Sequence, residues 1–289
     1  MAATQDSYYL PSPSHWPIVG SIGMFTLLGG FAIHLNGSGV GKWLMIAGAV
    51  IMMHMMIGWF GTVIRESERG SYNDKVDASF RWGMGWFIFS EVLFFAAFFG
   101  ALFYIRVLSV PWLGGEGAGG AVTGPLLWPG FDGVWPTNGP AEIGGSFETL
   151  SAFGLPAINT IILLSSGATV TLAHHALKHD NRGGLIGWLF ATVALGVTFL
   201  IVQGYEFYHA YTALNLTLGA GAYGSTFFML TGFHGLHVTI GVIMLSVILT
   251  RSLRGHFTPQ HHFAFEACAW YWHFVDVVWL GLFIFVYWL

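Results

Sequence analysis

Charge is scarce in this 289-residue chain: Asp, Glu, Lys and Arg together make up 8% of it, against about a quarter in a typical soluble domain. Without that polar surface the chain cannot stay in water. With 55% hydrophobic residues and a mean hydropathy of +0.65, it is read as an integral membrane protein. One cysteine, Cys268, excludes an intrachain disulfide and a cysteine-rich metal centre. The first fifteen residues contain no Lys or Arg and one acid, Asp6. A cleaved export signal needs a positive start, so the first apolar segment is expected to be kept as a span. Also missing are a phosphate-binding glycine motif, a nucleophile elbow, a His-Glu-x-x-His zinc motif and a Cys-x-x-Cys-His haem attachment. No complete catalytic set is present. The net charge of -4 gives no reason to expect a nucleic-acid partner.

What is there is length of apolar run. A membrane-spanning helix needs about 20 mostly apolar residues, and seven segments qualify: 16–35, 41–64, 79–110, 147–177, 184–212, 223–250 and 265–289. All are too long for the strands of a membrane barrel, so the chain is expected to be all-α. The fourth segment holds Pro156, which predicts a tilt or kink. Eight of the ten basic residues fall on one side: Arg65, Arg69, Lys75, Arg81, Lys178, Arg182, Arg251 and Arg254. Short basic loops stay on the cytoplasmic side, or on the matrix side in a mitochondrion, which predicts an N-terminus inside and a C-terminus outside. Only Lys42 and Arg106 lie opposite, where the long loop 111–146 is rich in Gly, Pro and Trp and has no basic residue. A long structureless loop is either functional or disordered.

Several ionisable groups fall inside the apolar runs, where they are costly and mark a purpose. Glu91 sits roughly 15 Å deep in the third span at 1.5 Å per residue, with nothing near it in sequence to neutralise it. It reads equally as a proton-linked carboxyl and as a neutral acid whose hydrogen bond pins two helices. His273 and Asp276 are three apart and share a helix face; a bond to a neighbouring helix is the simpler account. Glu206 and His209 have the Glu-x-x-His spacing of di-iron bundles, but no second copy exists. His175, His179, His234, His237, His261 and His262 suggest the boxes of a stand-alone membrane di-iron oxygenase. Their depths argue against one shared site, since ligands must lie within about 2 Å of a metal. Structural hydrogen bonding also outweighs a haem held by two of them. Met52, Met53, Met55 and Met56 around His54 point all round a helix and favour packing over copper. No metal is therefore expected. A proton-coupled transporter would rest on Glu91 and Asp276. Trp59, Arg65 and Glu66 close the second span, and Arg251, Arg254 and His256 follow the sixth. Such cations suit lipid phosphates, though positive inner loops are also ordinary topology.

The longer words carry more. His261-His-Phe-Ala-Phe-Glu266-Ala-Cys-Ala-Trp-Tyr-Trp-His273-Phe-Val-Asp276-Val-Val-Trp279 resembles cytochrome c oxidase subunit III, of the haem–copper oxidases. So do Pro11-Ser-Pro-Ser-His-Trp16-Pro17, Val63-Ile-Arg65-Glu66-Ser67, Ser90-Glu91-Val-Leu-Phe-Phe, Gln203-Gly-Tyr205-Glu206-Phe and Thr231-Gly-Phe-His234-Gly-Leu-His237-Val. The resemblance implies a non-catalytic accessory subunit of a respiratory oxidase, with no redox centre of its own and haem and copper in partner subunits. It implies subunit I as direct partner, with subunit II and other oxidase subunits beyond. It implies a helix pair, 1–65, and a five-helix bundle, 66–289, separated by a V-shaped cleft filled with phospholipid. Trp59, Arg65, Glu66, Arg251, Arg254 and His256 would bind that lipid. Glu91 matches the family's buried carboxyl, known for reacting with carbodiimides. The residues themselves, apart from the resemblance, lead one to expect an intramembrane polar network of Glu206, His209, His234, His237, His273 and Asp276. Support of proton uptake, protection of subunit I and a lipid-lined dioxygen route are further implications. Two departures stand out: loop 111–146 is longer and richer in Gly than the family leads one to expect, and Gly58-Trp-Phe-Gly-Thr62 replaces a more polar run of mitochondrial relatives, which points to a bacterial inner membrane, N-terminus cytoplasmic and C-terminus periplasmic, rather than the mitochondrial one.

Overall fold

The computed structural model describes residues 9–289, the side chain of Thr123 excepted, so Asp6 and its neighbours lie outside the description. Among the described residues there is no strand, and seven helical stretches are long and apolar enough to cross a membrane. All seven expected spans are present. The chain divides into two compact units, 1–82 and 83–289.

In the first unit, α1 (Trp16–Leu35) and α2 (Val40–Glu68) pack against each other around the turn Asn36-Gly37-Ser38-Gly39. Pro17 sits in the first turn of α1, where its missing N–H costs nothing. Gly37 has φ +85°, a conformation that glycine adopts without strain. Between lipid-soluble helices there is no hydrophobic drive, so close packing must hold them. Glycines supply it: a Cβ on Gly41 would strike the backbone of His34, and one on Gly48 the backbone of Leu27. The Trp16 ring lies over Gly58, and its indole N–H donates to Thr62 Oγ1 at 3.2 Å.

The second unit begins within α3 (Asp74–Phe103). A π-helical turn, Tyr104–Ser109, and the short α4 (Val110–Leu113) continue it past Pro111. The wider turn accommodates the proline, which has no N–H to bond back along the helix. The loop that follows differs from the structureless segment expected, because it contains α5 (Gly117–Leu127). The fourth span also differs. Residues 147–154 are not helical, and α6 runs Leu155–Lys178 with Pro156 in its first turn, so the proline starts this helix instead of kinking it. Then come α7 (Arg182–Ala213), α8 (Gly221–Arg254) and α9 (Phe263–Leu282), the last extended by a π turn, Phe283–Trp288. Asn181 caps α7, its Oδ1 accepting from Gly184 N–H at 2.9 Å. Gly255, at φ +86°, ends α8 in a Schellman arrangement: Gly255 N–H donates to Ser252 O and His256 N–H to Arg251 O.

α6 packs on α7 and α9, and α8 on α7 and α9. α9 is the most buried span. Its Trp272 fills a slot floored by Gly196 of α7 and Gly241 of α8, and the indole N–H donates to Ser166 Oγ of α6 at 2.9 Å. Two turns on, Trp279 donates to Thr160 Oγ1 at 2.9 Å and meets the Phe199 ring edge-on at 4.8 Å. These two rings tie α6, α7, α8 and α9 together. α3 adds an aromatic seam, with Phe94 against Phe233 and Phe95 against Phe274.

Candidate functional site

The bundle brings Glu91 of α3 to His237 of α8, Oε2 to Nε2 2.8 Å. His237 Nδ1 lies 2.7 Å from the Phe233 carbonyl, which can only accept, so Nδ1 carries a hydrogen. Nε2 then either takes a proton from a carboxylic acid or gives one to a carboxylate. Both arrangements place one proton between the two groups and leave the pair neutral, as a medium of low dielectric requires. Phe94 and Phe95 flank the imidazole at 5.8 and 5.0 Å. Of the two readings of Glu91, the hydrogen bond that pins two helices is present in the geometry.

The other intramembrane groups form separate clusters. His234 is buried and its Nε2 donates to the Val275 carbonyl at 3.2 Å. His273 Nδ1 lies 3.5 Å from Asp276 Oδ2. Its Nε2 donates at 3.2 Å to Thr171 Oγ1, whose own hydrogen goes to the Gly167 carbonyl. Glu206 is fully buried; its Oε1 accepts from Tyr287 Oη at 2.5 Å and Gln203 Nε2 at 3.2 Å, and His209 is not among these partners.

Sequence reading missed His174. Its Nε2 approaches Glu266 Oε1 at 3.5 Å, and His262 Nε2 approaches the same oxygen at 3.2 Å. His262 Nδ1 is held by the Thr258 carbonyl at 3.1 Å, which turns Nε2 toward Glu266. The ligand atoms of the three lie within 4.8 Å of one another, the one such group among the described residues with metal-ligand spacing. Chemically this trio can hold a divalent cation. The signal available was Glu266, one helical turn after His262; the distraction was His175, whose ring stacks on His179 at 4.3 Å. The three histidine pairs read as oxygenase boxes thus have separate partners.

Of the residues assigned to lipid, Arg65 donates to Thr62 Oγ1 at 3.0 Å, Glu66 accepts from Tyr72 Oη at 2.8 Å, and Trp59 is half-exposed. Burial, and then the Glu66 carboxylate, push the Tyr72 hydroxyl above the usual tyrosine range. The same two causes raise Tyr9, whose ring meets Tyr72 edge-on at 5.6 Å. In the second unit Arg254 is exposed, whereas Arg251 is buried with its guanidinium over Phe257 at 4.5 Å.

Fold and buried pairs together define an all-helical, multi-pass membrane protein whose ionisable interior groups meet partners within the chain. Comparison with known proteins gives the particular kind. The family model described as cytochrome c oxidase subunit III matches residues 6–122 and 131–289. Curated relatives named cytochrome c oxidase subunit 3 include that of Gadus morhua, 41% identical over 98% of this chain and 97% of its own length. That of Nanger granti is 41% identical over the same shares, and that of Formosania lacustris 41% over 100% and 99%. The chain belongs to the cytochrome c oxidase subunit III family. It is therefore a subunit of a haem–copper oxidase complex of the respiratory chain.

Proposed function

We propose that this chain is a non-catalytic accessory subunit that stabilises subunit I, carries bound phospholipid and supports proton uptake into the oxidase. The observation that carries this reading is the agreement of nearly the whole chain with subunit III, beside interior acids that find partners within the chain, Glu91 in His237 and Glu206 in Tyr287. In this reading haem and copper belong to partner subunits, and subunits I and II are the neighbours. Arg65 with Trp59 in the first unit, and Arg254 with Arg251 and His256 in the second, each meet lipid phosphate, since such clusters at span ends attract anionic head groups. The membrane is a bacterial inner membrane, with the N-terminus cytoplasmic; the basic loops favour this orientation.

The test is to compare the intact oxidase with one from which this chain has been stripped. Haem and copper should remain with the larger subunits, turnover should decay faster in the stripped enzyme, and adding the chain back should restore its lifetime. Iron or copper leaving with this chain would overturn the assignment. Separately, Arg254→Ala should lower the phospholipid retained by the purified complex, and unchanged lipid content would remove Arg254 from the lipid contacts.

A further inference from the structure

The family match breaks off between residues 122 and 131, and the structure there is ordered by its own contacts. Trp128-Pro129-Gly130-Phe131 is a tight turn: Phe131 N–H donates to Trp128 O at 3.1 Å, and Gly130 has the positive φ of +95° that a type II turn demands. Across from it runs the strip 137–142. This strip is anchored to α8, because Tyr223 N–H donates to Thr137 O at 2.9 Å, and it is tied within the loop by Asn138 Nδ2, which donates to Gly145 O at 2.9 Å. Trp135 packs edge-on to Tyr223 at 5.5 Å. Between turn and strip lies a groove of about 320 Å³, lined by Leu127, Trp128, Phe131, Pro140 and Glu142 among others. Leu127 and Trp128 are 57% and 37% exposed.

Charge selects what fits. From residue 107 to residue 177 there is no Lys or Arg, while Glu116, Asp132, Glu142 and Glu148 are all exposed. Anionic lipid head groups would be repelled. A second copy of this face would bring acid to acid with no cation to answer it. The lining is more polar than apolar, yet it sets the Leu127, Trp128 and Phe131 side chains in one groove with the Glu142 carboxylate; that mixture suits Lys or Arg, whose stem can lie along apolar side chains while the cation meets an aromatic ring and an acid.

We propose that this groove docks a basic partner protein, through a Lys or Arg side chain seated between Trp128 and Glu142. The walls are fixed by hydrogen bonds before the partner arrives, which lowers the ordering cost of binding. Leu127 and Trp128 lie outside the family match, whereas Phe131, Pro140 and Glu142 lie within it.

The test uses the whole oxidase in nanodiscs of neutral phosphatidylcholine, with a fluorescent octa-arginine peptide as probe and octa-glutamate as its counterpart. Octa-arginine should bind and octa-glutamate should not. Glu142→Gln combined with Trp128→Ala should weaken octa-arginine about tenfold, the order expected from losing a charge partner and a cation–π contact. Glu148→Gln, outside the groove lining, should change it less than about twofold. Equal binding by the groove variant and the unaltered enzyme would overturn the proposal, leaving general charge attraction. A nitroxide at Leu126→Cys relaxed by lipid-soluble oxygen and not by aqueous nickel would also overturn it, since the turn would then lie in the bilayer.

Discussion

Glu91 and His237, distant in sequence, meet at 2.8 Å and join α3 to α8 through a hydrogen bond holding a single proton. Its strength lies in what happens when one side is lost. Helix association in membranes gains only about 0.6 kcal/mol on average from such bonds, but an unpaired buried polar group costs about 1–3 kcal/mol.

Glu91→Gln should therefore be mild, because an amide N–H can still donate to His237 Nε2. Glu91→Leu should be worse by about 1–3 kcal/mol, because it strands that nitrogen. Thermal midpoints of the assembled complex in one detergent would separate the two; equal loss in both variants would mean that the carboxyl itself, and not its hydrogen bond, holds the helices.

The slot around Trp272 predicts a second asymmetry. A Cβ on Gly241 would come within 2.7 Å of the indole ring, so Gly241→Ala should destabilise by about 1–3 kcal/mol through overpacking. Ser166→Ala removes the acceptor of the indole N–H and should cost a similar amount, about 1–3 kcal/mol, for a different reason. Trp272→Phe on the Ser166→Ala background should recover part of that loss, since no indole N–H is left wanting. Unfolding midpoints of the three variants would decide it, and no recovery in the double variant would discard the hydrogen-bond account.

Tyr72 gives a pH dependence. Its hydroxyl ionises above the ordinary tyrosine value of 10.0 because burial and then Glu66 oppose a phenolate. A group whose folded value is raised stabilises fully below its unfolded value, and that stability is lost as pH rises through the folded one. The first unit should thus lose a Tyr72-dependent increment only on the alkaline side of pH 10, and Tyr72→Phe should lack that step. Parallel stability curves for the two proteins across that range would refute the linkage.

Spans were legible because each is a long apolar run, a property of local composition alone. The lower end of the fourth was not: residues 147–154 are apolar enough to extend it, but Gly154 and Pro156 set where the helix begins. The polar sites divide the same way. His273 and Asp276 lie one turn apart, so spacing could pair them; Glu91 with His237, Glu206 with Tyr287, and His174 with His262 and Glu266 are made by helices far apart in sequence. At Glu206 spacing offered only His209 on the same helix, while the phenol that binds it, Tyr287, comes from the terminal π turn. Nor did composition reveal α5, since a run of Gly117–Leu127 with four glycines gives little helical propensity.

The glycine contact between α1 and α2 has a practical side. These helices bury little of themselves, 11% in each, and Phe25 stands 81% bare. Their mutual grip is mostly backbone on backbone, and side chains such as that of Phe25 face the surrounding solvent. For the first unit that solvent is a structural component, so detergent chain length should govern its survival during purification more than any one side chain does. Short-chain detergents should loosen it while the Trp272 core of the second unit persists.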